Sequence, residues 1–189
     1  VHVVPLVVDP HHLRGITLDA AVTAELEARP GPSLVYVGQL LPHKRVDLLI
    51  EAFDVLVTKL IPEASIDLVG PPRLPAYETV IRALVRELNL PNLHIAGSVS
   101  PNALTAYYRG ATAFVTASDH EGLCLPVLEA MAFDLPVIAR GTAALPETIG
   151  SGGIVLPADA DPVLLAEAMA AVLESAPLRT ELVEAGRDR

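Results

Sequence analysis

The sequence predicts an α/β fold built on a doubly wound parallel sheet. From Ser33 onward, short and continuously apolar segments of strand length alternate with longer segments of helical pattern. Strands buried on both faces of a sheet have this uninterrupted apolar character, and their alternation with helices is typical of parallel sheets. Hydrophobic residues make up 51% of the 189 residues, enough to fill the core of one ordinary α/β domain.

The composition also excludes several classes of protein. The formal net charge is −10, which argues against general nucleic-acid binding because that function needs a basic surface. No apolar stretch is long enough to cross a bilayer. Cys124 is the only cysteine, so an intrachain disulfide is impossible and a cytoplasmic, reducing compartment is expected. The start at Val1 shows neither an initiator methionine nor a signal peptide, so we expect a piece of a longer protein.

Residues 1–30 are predicted to be a leading segment or interdomain linker, and residues 31–189 the main domain. Residues 3–10 are predicted to be extended because prolines interrupt them, and residues 18–28 to form a short helix. The predicted strands of the main domain are residues 34–37, 66–69, 93–96, 113–117, 137–139 and 154–156. The predicted helices are residues 46–60, 76–88, 100–108, 125–133 and 162–174, with Ser100 and Asp161 as N-caps of two of them.

Glycines stand directly after the first three predicted strands, at Gly38, Gly70 and Gly97. A doubly wound sheet binds ligands beyond the carboxyl ends of its strands, and glycine lets a ligand approach the backbone closely. Each glycine alone is explained equally well by a tight turn. Three of them in the same structural place favour a ligand crevice.

Two glutamates, Glu121 and Glu129, bracket seven residues after the fourth strand. Pro126 predicts that a helix starts near Leu125, and the free N–H groups at such a start favour phosphate. Ionised carboxylates on either side accept hydrogen bonds from sugar hydroxyls, so the stretch suits a nucleotide diphosphate sugar. The alternative is that both glutamates are solvated surface residues. However, Glu129 lies among apolar helix residues, so its carboxylate needs a partner.

Residues 120–139, HEGLCLPVLEAMAFDLPVIA, resemble the E-x7-E region of retaining glycosyltransferases with the GT-B fold, the large family 4 group. Residues 38–53, GQLLPHKRVDLLIEAF, and residues 93–99, LHIAGSV, resemble two further segments of that family. The resemblance covers nearly the whole chain. It implies a Rossmann-like domain, the carboxy-terminal half of a GT-B enzyme, with the amino-terminal acceptor domain absent.

The resemblance implies that Lys44 holds the donor diphosphate and takes part in catalysis. It also implies an arginine just after Gly38, where this sequence has Gln39. Glutamine can form hydrogen bonds but brings no charge, so diphosphate binding at this position is in question. His43 and Arg45 are the candidates to compensate.

The resemblance assigns Glu121 to the transferred sugar, as a catalytic residue, and Glu129 to the ribose hydroxyls. Backbone groups of further residues are implied to contact the donor: Gly122, Leu123 and Cys124 at the sugar or phosphate, and Ser98 and Val99 at the base. The implied reaction is retaining transfer of a hexose from a nucleotide diphosphate sugar to a glycan, lipid or small-molecule acceptor. It needs no metal or other cofactor, and the chain alone is expected to bind donor but turn over little.

One short motif resembles a metal-binding sequence. Asp159 and Asp161 have the spacing of a DxD metal motif, but their place before a helix predicts an N-cap instead. The histidines lack the spacing of metal ligands, and no G-x-G-x-x-G is present to suggest a dinucleotide oxidoreductase.

Two other functions stay open. Gln39 favours an inactive nucleotide-sugar-binding module with a regulatory role, whereas Lys44, Glu121 and Glu129 favour an enzyme. A transferase resembling glycogen or starch synthase is the other alternative. Membrane association of the full-length enzyme is also left open.

Overall fold

Six parallel strands form the centre of the computed structural model, which describes residues 8–188. The strands are β1 (Ser33–Val37), β2 (Ser65–Val69), β3 (Leu93–Gly97), β4 (Ala113–Thr116), β5 (Val137–Arg140) and β6 (Gly153–Leu156). Their order across the sheet is β3-β2-β1-β4-β5-β6, and every pairing is parallel. The predicted doubly wound sheet is therefore confirmed. Its strand order reverses between β1 and β4, the place where such sheets bind ligands.

Helices cover both faces of this sheet. They are α1 (Pro10–Arg14), α2 (Ala20–Glu27), α3 (Val46–Val55), α4 (Pro75–Glu87), α5 (Pro101–Gly110), α6 (Leu125–Ala132), α7 (Leu145–Ile149), α8 (Pro162–Glu174) and α9 (Ala176–Arg187). The predicted helix at residues 46–60 is α3 continued by a π-helical turn, Leu56–Leu60. None of the helices in residues 8–188 is long and apolar enough to cross a bilayer.

The prediction of an extended segment at residues 3–10 was wrong at its end, because Pro10 is the first residue of α1. The Asp9 side chain accepts hydrogen bonds from the His11 and His12 amides, and Pro10 fits the first helical position. Residues 3–7 of that prediction lie outside the described residues. The helices α7 and α9 were not predicted.

Alternate residues of β1 point into two separate apolar cores. Leu34 and Tyr36 lie in the core that α3 and α8 cover, whereas Val35 lies in the core that contains residues of α5 and α6. All three side chains are buried, which explains the continuously apolar strand in the sequence. Because both faces of the sheet are covered by apolar cores, polar groups lie in the loops at its carboxyl edge.

Candidate functional site

The loops after β1 and β2 lie against each other at the carboxyl edge of the sheet. The Gly38 amide donates to the Val69 carbonyl at 2.9 Å, and the Leu40 amide donates to the Pro71 carbonyl at 3.1 Å. A Cβ atom on Gly38 would lie 2.6 Å from the Tyr36 hydroxyl, and one on Gly70 would lie 2.0 Å from the Gly38 carbonyl oxygen. Close packing of the protein against itself therefore requires these two glycines.

Gly97 differs from the other two strand-end glycines. Its φ is +68°, in the left-handed region that favours glycine, and a Cβ atom there would meet nothing within 4 Å. Ser98 follows it on the exposed surface and Val99 is half-buried, in the short loop before α5. Ser100 caps α5 as predicted, since its hydroxyl accepts a hydrogen bond from the Ala103 amide at 3.2 Å.

Lys44 and Glu121 form an ion pair at the point where the strand order reverses. Lys44 ends a short 3₁₀ turn (Pro42–Lys44) after β1, and its Nζ lies 2.6 Å from Glu121 Oε1. The Ser118 hydroxyl donates to the same oxygen at 2.8 Å. The two charged side chains are 19% and 9% exposed, so their attraction is screened less than that of a surface pair. The fold thus joins two residues that the sequence assigned to the donor from separate motifs.

The loop between β4 and Glu121 is held by hydrogen bonds along its length. The Asp119 amide donates to the His43 carbonyl at 2.8 Å, and the Ala144 amide donates to the Glu121 carbonyl at 3.3 Å. The Thr142 hydroxyl donates to the Ser118 carbonyl. Glu121 is therefore fixed through its backbone as well as through its carboxylate.

Arg140, the last residue of β5, is a site residue that the sequence reasoning missed. Its Nη1 donates to Asp119 Oδ1 at 2.8 Å and to the Ala117 carbonyl at 3.0 Å, and its Nη2 donates to the Ala158 carbonyl. The signal that could have found it is a charged residue directly after the predicted strand at residues 137–139, at the edge where ligands bind.

The two residues expected to compensate for Gln39 are placed differently. Arg45 has a left-handed backbone with φ of 49°, and its guanidinium lies 3.1 Å from Asp47 and 3.6 Å from Asp119. Two carboxylates therefore already face its charge. His43 is exposed and uses its carbonyl to bind the Asp119 amide. Gln39 is itself exposed, and its carbonyl accepts a hydrogen bond from the Tyr36 hydroxyl at 3.1 Å.

The start of α6 follows Glu121 after residues 122–124. Helix α6 begins at Leu125 as predicted, with Pro126 in its first turn and Cys124 as a left-handed N-cap residue with φ of 60°. No side chain caps this helix, so its first N–H groups are available to an anion. Gly122 is exposed, Leu123 is half-buried and Cys124 is buried. Burial first, and then the charge of Glu121, raise the pKa of the Cys124 thiol to about 12.

Glu129 lies one turn inside α6 and has the partner that its apolar surroundings required. The Tyr108 hydroxyl of α5 donates to Glu129 Oε2 at 2.8 Å. Tyr108 is 1% exposed, and its ring stacks on Phe133 with a centroid distance of 5.2 Å. Burial first, and then the negative charge of Glu129, raise the pKa of Tyr108 well above its ordinary value. No sequence motif identified Tyr108 as this partner.

Asp161 caps α8, since its carboxylate accepts a hydrogen bond from the Leu164 amide at 2.8 Å. The N-cap prediction for the Asp159–Asp161 pair is thereby confirmed for Asp161. Within residues 8–188, no group of three or more histidine, cysteine, aspartate or glutamate side chains is arranged to hold a metal ion.

A Rossmann-like parallel sheet with charged side chains at the point where its strand order reverses defines the class of doubly wound α/β proteins. Within that class, this chain belongs to the group 1 glycosyltransferases, because the sequence model of that family matches residues 23–189. The fold agrees with this assignment, since the carboxy-terminal domains of GT-B glycosyltransferases have the same architecture.

Three similar proteins illustrate the relationship. O-antigen chain mannosyltransferase B of Escherichia coli is 29% identical over 130 residues, which are 68% of this chain and 34% of that protein. A D-inositol 3-phosphate glycosyltransferase of Frankia alni is 30% identical over 161 residues, covering 82% of this chain and 40% of that protein. The structure of sucrose-phosphate synthase from Thermosynechococcus elongatus matches with a TM-score of 0.77 at 28% identity, covering 93% of this chain and 45% of that chain. This chain therefore spans less than half the length of all three.

Proposed function

We propose that this chain is the donor-binding half of a retaining hexosyltransferase of family 4 that uses a nucleotide diphosphate sugar. The observation that carries the proposal is the Lys44–Glu121 ion pair, which lies at the switch point of the sheet and directly before the start of α6. A cation, a carboxylate and uncapped helix N–H groups meet there. They match the diphosphate and the sugar of such a donor. The family membership and the names of the relatives, which include a mannosyltransferase, support the transfer of a hexose.

Each part of the donor has a proposed partner in this site. Lys44 and the amides of Gly122, Leu123 and Cys124 bind the diphosphate and the proximal side of the sugar. Glu121 binds sugar hydroxyls with its carboxylate, which Ser118 orients. Glu129 binds the ribose, and the buried Tyr108 hydroxyl fixes one of its oxygens. Backbone groups of Ser98 and Val99 contact the base.

In the proposed reaction, the bond between the anomeric carbon and the diphosphate oxygen breaks, and the acceptor oxygen bonds to that carbon from the same face. The departing diphosphate oxygen accepts the proton of the acceptor hydroxyl. Lys44 stabilises the charge that develops on the diphosphate, which is the role that a metal ion has in other transferases. We therefore propose that the reaction needs no metal. The acceptor, a glycan, a lipid or a small molecule, binds to a part of the full-length enzyme that precedes this chain.

A nucleotide-binding experiment tests the proposal. Thermal unfolding of the chain is followed with uridine, guanosine or adenosine diphosphate, and with the matching nucleotide sugars, in the presence of a chelator. A ligand at a hundredfold excess over its Kd stabilises a folded protein by about 2.7 kcal/mol, so one base is expected to raise Tm clearly. No shift with any ligand at millimolar concentration would count against the donor site. Binding that disappears in EDTA and returns with manganese would contradict the metal-free proposal.

A second candidate is an inactive module that binds nucleotide sugars without transferring them. Two observations favour it, namely the uncharged Gln39 and the engagement of Arg45 by two carboxylates. Both leave Lys44 as the charged side chain proposed to meet the diphosphate. Donor hydrolysis by the full-length protein separates the two functions, because an active transferase hydrolyses donor slowly without acceptor and an inactive module does not.

A further inference from the structure

Arg140 joins the loop after β4 to the loop after β6 at the carboxyl edge of the sheet. Its side chain is 9% exposed, and its contacts are the Ala117 carbonyl, the Asp119 carboxylate and the Ala158 carbonyl. Ala117 and Asp119 lie after β4, and Ala158 lies after β6. A buried guanidinium is costly unless it is paired and hydrogen-bonded, and its Nε has no partner among the described residues. An apolar side chain would fill this position without the desolvation cost of a guanidinium. The role of the arginine therefore lies in its contacts.

Asp119 connects Arg140 to the 3₁₀ turn that carries Lys44. Its carboxylate accepts from Arg140 at 2.8 Å, while its amide donates to the His43 carbonyl at 2.8 Å. His43 is the residue before Lys44 in the 3₁₀ turn that follows β1. Arg140 therefore acts on that turn through Asp119, and it acts on the β4 loop directly through the Ala117 carbonyl.

The β4 loop and the 3₁₀ turn are thus joined by two links side by side. One is the Lys44–Glu121 ion pair, and the other is the Asp119–His43 hydrogen bond supported by the Asp119–Arg45 contact at 3.6 Å. The first link consists of the groups proposed to meet the donor, so it must rearrange when donor binds. The second link can persist when donor is present because it uses a backbone bond behind the side chains. Arg140 anchors this second link.

We propose that Arg140 is a positioning residue that holds the loop carrying Glu121 in place relative to Lys44, so that Glu121 meets the sugar of the intact donor. This inference rests on the proposed function, since it assigns Arg140 to the donor sugar through Glu121. The geometry requires arginine in particular, because one planar guanidinium with five N–H donors reaches two carbonyls and a carboxylate at once. The ammonium of lysine cannot hold the same three groups in one plane.

The test compares Arg140→Lys with a matched control, Arg179→Lys. Arg179 also donates to two backbone carbonyls, those of Val172 at 2.8 Å and Leu173 at 2.7 Å, but it lies in α9 away from the site. Asp119→Asn is the second variant, because it keeps the side-chain shape and removes the charge that Arg140 binds. Two measurements are made on each folded variant: hydrogen exchange of residues 117–124, and calorimetric titration with a nucleoside diphosphate and its nucleotide sugar.

Arg140→Lys and Asp119→Asn are expected to speed hydrogen exchange in residues 117–124. They are expected to lower the affinity for the nucleotide sugar about tenfold and to change the affinity for the nucleoside diphosphate less than about threefold. The reason is that a small misplacement of Glu121 lowers the affinity for the sugar, the part of the donor that it contacts. Arg179→Lys is expected to lower Tm without changing either measurement.

The outcomes separate the two proposals. A wild-type chain that binds neither ligand would overturn the proposed function, and with it the donor role of Arg140. If the wild type binds both ligands, but Arg140→Lys leaves exchange and the affinity ratio unchanged, the positioning role alone is wrong. Equal loss of both ligands in Arg140→Lys would also contradict it, because the defect would then not concern the sugar.

Discussion

The two glutamates of the E-x7-E stretch have contrasting surroundings. Glu121 lies in a loop and shares one carboxylate oxygen between the Lys44 ammonium and the Ser118 hydroxyl. Glu129 lies on α6, and its partner is the neutral hydroxyl of a buried tyrosine in an aromatic stack. One carboxylate is thus held by groups in the segments that follow β1 and β4, and the other by a side chain of the apolar core.

This difference bears on the donor part proposed for each glutamate. A carboxylate held by a flexible lysine can exchange that partner when a charged ligand arrives. A carboxylate fixed by a buried phenol keeps its position whether or not ligand is present, and so presents a preformed acceptor at lower entropic cost. The contrast matches the proposed roles, with Glu121 at the reacting sugar and Glu129 at the ribose, which stays unchanged in the reaction.

The largest expected effect comes from Lys44→Met. This change leaves the Glu121 carboxylate, 9% exposed, without its cation, and we expect the free energy of unfolding to fall by about 3 kcal/mol. Nucleoside diphosphate binding should also be lost, since Lys44 supplies the proposed charge. Urea denaturation and calorimetric titration measure the two effects.

Lys59→Met is the matched control, because Lys59 is the only other lysine and is exposed on the π-helical turn. The double variant Lys44→Met/Glu121→Gln should recover much of the lost stability, because it removes the unpaired charge and keeps an oxygen for Ser118. Recovery of binding in the double variant would contradict the role of Lys44 toward the diphosphate.

Replacing each glutamate separately sharpens the comparison. Glu121→Ala should weaken binding of the nucleotide sugar and leave binding of the nucleoside diphosphate nearly unchanged. Glu129→Ala should weaken binding of both ligands, because both contain the ribose. Each carboxylate lost from a hydrogen-bonded site should cost on the order of 1.5–3 kcal/mol of binding free energy. Calorimetric titration of both variants with both ligands gives the four affinities.

Glu129→Gln supplies the control for structure, because its amide oxygen can still accept the hydrogen bond from Tyr108. If Glu129→Ala lowers Tm while Glu129→Gln restores both Tm and affinity, the hydrogen-bond acceptor matters more than the charge. The assignment of the two glutamates fails if both alanine variants lose affinity in the same pattern, or if stability alone changes.

A smaller effect is expected from Tyr108→Phe. The change removes the hydroxyl that orients Glu129 and should lower the free energy of unfolding by about 1 kcal/mol. Because Glu129 then loses its fixed position, affinity for the nucleoside diphosphate should fall by a few-fold. Tyr107→Phe is the control, since Tyr107 directly precedes Tyr108 on α5 and belongs to the same apolar cluster. Unchanged affinity in Tyr108→Phe would mean that Glu129 needs no anchor.

The strands and most helices could be predicted from the sequence because burial leaves a direct record in it. Residues of β1 are apolar on both faces, and Pro126 and Asp161 mark the starts of α6 and α8. The helix α7 left no such record because five residues are too few to show a period. For α9 the signal was present, since Ser175 caps it and Pro177 lies in its first turn.

The site was predictable in its residues but less so in their partners. Sequence motifs identified Lys44, Glu121 and Glu129, yet only the fold brings Tyr108 to Glu129 and Arg140 to the loop that carries Glu121. Those two belong to segments far along the chain, and no local pattern relates an arginine on β5 to a loop after β4. The strand-end glycines were identified from the sequence, but their role was not. Close contacts with Tyr36 and with each other explain Gly38 and Gly70 more directly than a ligand crevice does.

The smallest expected effect concerns Cys124, which lies between the two glutamates. Burial and the neighbouring Glu121 carboxylate raise the pKa of its thiol to about 12, so the reactive thiolate is scarce at neutral pH. At pH 8, a thiol of that pKa is ionised in roughly one molecule in ten thousand, far less than an ordinary cysteine. We therefore expect iodoacetamide to label the folded chain at least about a hundredfold more slowly than the chain unfolded in urea. Donor affinity should be unchanged after the treatment, because the folded chain stays largely unlabelled. The opposite outcome is rapid labelling at pH 8 that is prevented when donor is present. It would mean that the thiol itself is accessible within the site.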